Sequence, residues 1–83
     1  MDRLGMLTEH LAEADRHVRE GQAYLKRQWR VLQELEKKGQ RQRVAEAKKL
    51  LRLFEDLQGL QIAERDRLVA ELVALRQDMA RAQ

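Results

Sequence analysis

An apolar period of 3.5 residues runs through the first part of this sequence and then loses its phase. Stepping alternately by 3 and 4 from Leu4 gives Leu4, Leu7, Leu11, Ala14, Val18, Gly21, Leu25, Gln28, Leu32 and Leu35. Eight of these ten positions are apolar, which is a sustained heptad seam. Continued past Gly39, the same phase reads Gln42, Glu46, Lys49, Leu53, Asp56 and Leu60. One uninterrupted coiled coil is therefore disfavoured. A second seam starts at Val44 and reads Val44, Ala47, Leu51, Phe54, Gln58, Gln61, Arg65, Leu68, Leu72, Leu75 and Met79, with eight apolar positions of eleven.

The phase breaks in Lys37-Lys38-Gly39-Gln40-Arg41. Glycine is favoured just past a helix C-terminus because it accepts a left-handed backbone. Lys37 and Lys38 suit the negative end of a helix dipole. The sequence thus predicts helix 1 over about residues 3–38, a turn at about 39–40, and helix 2 over about 41–81. Asp2 is the expected N-cap. Gly5 is a point where the first turn would fray.

The two seams agree on one register. In an antiparallel hairpin turning near residues 39–40, facing positions have a constant sum. Leu35 with Val44, Leu25 with Phe54, Gly21 with Gln58, Ala14 with Arg65 and Leu4 with Leu75 all sum to 79. Gln58 and Arg65 fall opposite small residues, so their long side chains are expected to cross the seam and snorkel outward.

Composition narrows the alternatives. The chain has 83 residues, no Cys, no Pro and 4 Gly. No disulfide framework or thiolate metal site is available, and too few turn formers exist for a many-stranded β fold. Its Leu, Ala, Glu, Lys, Arg and Gln are strong helix formers. The fold class expected is all-α: a two-helix antiparallel hairpin, a single domain over residues 1–83, dimerising into a four-helix bundle. No run of about 18 apolar residues is present, so no transmembrane helix is expected. Asp2 and the short apolar stretch after it do not read as a secretory signal. Cytoplasmic is the expected location, and no membrane contact is expected.

A lone pair of helices buries one stripe from each, and chains of this size commonly need oligomerisation. Surplus apolar residues show where a partner would sit. Leu50, Leu53, Leu57 and Leu60 line one flank of the second seam, and Ile62, Val69 and Val73 the other. Helix 1 adds Tyr24 and Val31 on one flank and Trp29 on the other. Trp29, beside the seam, is expected to be packed. A homodimer is the simplest cover; another helical protein is the alternative.

Charge is polarised along the hairpin. Residues 26–52 carry ten Lys/Arg against Glu34, Glu36 and Glu46, net +7, while residues 1–25 and 53–83 each sum to −2. A basic tip attracts phosphate, and Arg30, Lys37, Lys38, Arg41, Arg43, Lys48 and Lys49 are the candidate polyanion contacts, with Trp29 or Tyr24 available to stack on a base. RNA or DNA binding at the tip is thus the alternative function. The same polarity suits antiparallel pairing, in which a basic tip meets another chain's acidic end.

Little in the sequence points to catalysis. Thr8 is the only hydroxyl besides Tyr24, and no Ser or Cys is present to act as a nucleophile. Glycine-rich phosphate loops are absent. His10, Glu13 and His17 share one stripe, but histidines seven apart, about 10 Å along a helix, do not chelate one ion, and the Glu-x-x-His spacing of di-metal bundles is missing. The expectation is a non-enzymatic module without metal or cofactor, in which the two histidines lie at an interface and weaken assembly near pH 6.

The stretches HLAEADRHVREGQ (10–22) and LLRLFEDLQGLQIAERDRL (50–68) resemble short, uncharacterised α-helical-hairpin proteins and domains of α-proteobacterial type. That resemblance covers most of the chain except the tip. It implies a helical fold and carries no activity or site residues. The secreted helical hairpins with Trp-x-Gly at their turn are not matched, because Arg30 and Val31 follow Trp29.

Overall fold

The chain enters its first helix through Asp2, whose carboxylate accepts a 2.7 Å hydrogen bond from the Gly5 backbone N–H. In the computed structural model, which describes residues 2–82, α1 spans Arg3–Lys37 and α2 spans Arg41–Arg81. Gly5 does not fray the first turn. It is the residue whose N–H the N-cap satisfies, and its bare Cα lets the Asp2 carboxylate come close.

Helix α1 ends in a Schellman motif. The Gln40 N–H donates to the Leu35 carbonyl (3.2 Å) and the Gly39 N–H to the Glu36 carbonyl (3.1 Å). Gly39 sits at φ +68°, the left-handed region where a side chain costs energy. This compact turn returns the chain antiparallel to itself. Helix α2 begins without a side-chain cap, and its first turn carries Arg41 and Arg43 with no carboxylate. Cations there oppose the positive end of the helix dipole.

The helices pack side by side into a rod of 65 × 17 × 15 Å. Its interior is the seam and little else. Leu7, Ala14, Val18, Leu32, Leu51, Gln58, Leu68 and Leu72 are buried, and the other seam positions except Met79 are partly buried. Leu7 and Ala14 meet Leu68 and Leu72 in one cluster flanked by Leu4, Leu11 and Leu75. Tyr24 packs on Phe54 with ring centroids 4.5 Å apart. These contacts follow the register inferred from the sequence. Met79 lies exposed because its facing position falls beyond Arg3, the first residue of α1.

One seam side chain departs from expectation. Gln58 does not snorkel. It is 7% exposed and lies across Gly21, donating from Nε2 to the Val18 carbonyl at 2.8 Å. A Cβ at Gly21 would collide with Gln58 Oε1 and lie 2.9 Å from its Cδ. The missing side chain at Gly21 thus makes a notch deep enough to hold the amide inside the seam. Gln58 Oε1 is buried without a hydrogen-bond partner. Arg65, opposite Ala14, does reach outward, to Asp66 Oδ1 at 3.1 Å. A guanidinium cannot be left in the seam without a counter-charge.

Candidate interaction faces

A hairpin of two heptad helices has two long flanks, and antiparallel pairing decides which residues share each one. Residues just before the first seam position of each heptad on α1 (His10, His17, Tyr24, Val31) abut their equivalents on α2 (Leu50, Leu57, Glu64, Glu71). The surface groove on this flank is lined by His17, Tyr24, Leu57, Gln58 and Gln61, and continues through Leu60 to Glu64. We term it the leucine face. On the opposite flank a groove runs past Trp29, Leu32, Lys48, Leu51 and Glu55. Farther from the turn, the same periodicity sets Ile62, Val69 and Val73 along this second flank. We term it the valine face.

The apolar surplus is therefore two patches back to back rather than one arc. On the leucine face, Leu50, Leu53, Leu57 and Leu60 are 51, 65, 46 and 70% exposed, spaced so that they form one stripe along α2. Val31 lies exposed on the same face, and Tyr24 is partly buried against Phe54. The valine face is weaker: Val69 and Val73 are exposed, Ile62 only partly, and Asp66 interrupts them. Trp29, expected to be packed, is 48% exposed at the rim of the groove on this flank.

Farther from the turn, the leucine stripe becomes charged. Glu64, Arg67 and Glu71 continue the line, and Arg67 bonds both carboxylates: its Nη2 donates to Glu64 Oε1 at 2.6 Å, and its Nη1 donates to Glu71. The bond from Arg67 holds the Glu64 carboxyl below the usual carboxylate range, against an opposing effect of desolvation and with lesser help from the charges of Arg67 and His10. The same partnership raises Arg67 above its ordinary value. His17 lies 3.9 Å from Glu13. Among the described residues no three His, Cys, Asp or Glu side chains form a group able to hold a metal ion.

At the tip, all seven candidate polyanion contacts are exposed. Lys37 reaches Glu34 at 3.6 Å. Among the described residues, Arg30, Lys38, Arg41, Arg43, Lys48 and Lys49 make no ion pair with a carboxylate. Tyr24 is engaged by Phe54 and by Arg27, whose guanidinium carbon lies 5.9 Å from the ring centroid. Trp29 is the aromatic with an open edge. The histidine stripe and the basic character of the tip were readable from spacing and charge counts. The half-satisfied Gln58 was not.

No described helix is long and apolar enough to cross a membrane. No protein-family model, curated protein or solved structure matches the chain.

Proposed function

We propose that this chain is a small non-enzymatic helical interaction module that works by self-association. The observation that carries the reading is the exposed stripe Leu50, Leu53, Leu57 and Leu60, an apolar line of a kind that marks binding surfaces. The area of the chain supports it. A compact monomer of 9.8 kDa has a surface of about 5,200 Å². This chain exposes 6693 Å². The excess of about 1,500 Å² is nearly twice the roughly 800 Å² that each partner hides in a standard interface. A dimer forming a four-helix bundle removes much of it.

The test is mass in solution, by sedimentation equilibrium from about 1 to 100 μM. Self-association predicts a monomer–dimer equilibrium within that range. A well-folded monomer throughout refutes the reading.

A second reading, nucleic-acid binding through the tip, is favoured by one observation: among the described residues, six of its seven candidate cations lack a carboxylate partner. It predicts salt-dependent binding of mixed RNA or DNA at about 50 mM salt, lost when Lys37, Lys38, Arg41 and Arg43 are changed together to Glu while helicity is retained. No band shift for the unmodified protein at that salt removes this reading.

A further inference from the structure

We propose that the occupant of the leucine face is a second copy of this chain, lying antiparallel and staggered, so that each basic tip rests on the acidic part of its partner rather than at its end. This rests on the self-association reading above and adds the face, the direction and the offset.

The face follows from exposure. The leucine face carries four leucines in one unbroken stripe, whereas the valine face is interrupted by Asp66. The offset follows from where the stripe lies. It occupies residues 50–60, near the turn, and gives way beyond Leu60 to Glu64, Arg67 and Glu71. A second copy aligned end over end would set leucines against those charges. In an antiparallel pair, leucines meet leucines only if the two-fold axis passes at the level of residue 55, beside the Tyr24–Phe54 contact.

A parallel pair, whose two-fold axis runs along the rods, also sets leucines against leucines, and charge separates the two directions. Parallel hairpins place tip beside tip. Residues 37–43 carry four cations and no carboxylate, so this direction is repulsive. Antiparallel hairpins sharing a dyad at residue 55 bring that tip to the level of residues 67–69. Within about 9 Å either way along the rod, the segments 4–18 and 61–75 hold six carboxylates and three arginines, net −3. That distance is close to the Debye length of roughly 10 Å at 0.1 M salt, so the +4 tip and the −3 band attract. Uncovered ends then project on both sides, and the dimer is longer than one 65 Å hairpin.

The chain has no cysteine, so a single nitroxide at Gln42→Cys reports one intermolecular distance by pulsed electron resonance. The staggered antiparallel dimer predicts about 40 Å, from thirteen residues to the dyad and back at about 1.5 Å each. A distance below about 25 Å means parallel tips, and one near 57 Å means full overlap; either overturns the inference while leaving self-association intact. Exposed-site variants test the face, with circular dichroism confirming the fold. Leu53→Glu and Leu60→Glu should each weaken the dimer at least tenfold, and Val69→Glu should not weaken it. The reverse pattern assigns the other face and refutes the inference. A monomeric parent chain refutes both the inference and the reading beneath it.

Discussion

The notch at Gly21 allows a quantitative test of the packing. Consider Gly21→Ala. In a helix this exchange gains about 1 kcal/mol from propensity alone. Here the new methyl occupies the place of Gln58 Oε1 and sits 2.9 Å from its Cδ, so the amide must leave the seam. Its bond to the Val18 carbonyl, 2.8 Å long, is worth about 1 kcal/mol. Forcing the side chain off its rotamer costs about 0.5–1.5 kcal/mol more. The gain is cancelled or reversed, for a net change of about −0.5 to −1.5 kcal/mol. In a Gln58→Ala background nothing opposes the methyl, and the same exchange should stabilise by its full propensity value of about 1 kcal/mol. The coupling energy of the cycle is thus about 2 kcal/mol, within the range seen for touching residues. Urea denaturation followed by helix circular dichroism, at one fixed protein concentration, measures all four corners. A coupling below about 0.5 kcal/mol, with Gly21→Ala stabilising both backgrounds alike, would show that Gln58 does not occupy the notch.

Other perturbations give direct readings. Leu68→Ala should cost about 2–5 kcal/mol, because Leu68 is buried among Leu7, Ala14 and Leu72; a loss under 1 kcal/mol would mean the cluster collapses freely. Gly39→Ala places a methyl at φ +68° and should destabilise by about 1–2 kcal/mol; an unchanged denaturation midpoint would contradict the Schellman turn. The Glu64 carboxyl is held below the usual range by Arg67, so its small contribution is present at neutral pH and fades as pH falls through that lowered value. Carboxyl NMR titration should show Glu64 rising toward the ordinary value in Arg67→Met, and no change would contradict the bond.

The seam was legible because a heptad period states the buried stripe of a helix directly, and because two stripes in one chain must share a register. That constraint sets Phe54 at the level of Leu25, next to the Tyr24 on which its ring packs. Gln58 was not legible, since snorkelling and burial differ only in rotamer. The choice turns on the depth of the Gly21 notch and the reach of Val18's carbonyl. The flanks were only half legible. Spacing placed leucines on one side of α2 and valines on the other, but only the antiparallel pairing shows them to be opposite faces of a thin rod. Function was least legible, because a contact surface needs no signature of nucleophile, base or metal ligand.

The turn at Gly39 also sets the order in which the molecule assembles. Layers beside it set residues close in sequence at one level, such as Leu35 and Val44, whereas those at the open end set Leu4 level with Leu75. Closing a longer loop costs more entropy, by about 0.6 kcal/mol for each doubling. Each layer formed shortens the effective loop of the next. The chain therefore closes as a zipper from the basic tip outward, and the open end, Leu4 and Leu75 with Met79 beyond them, is the last part to close and the first to open.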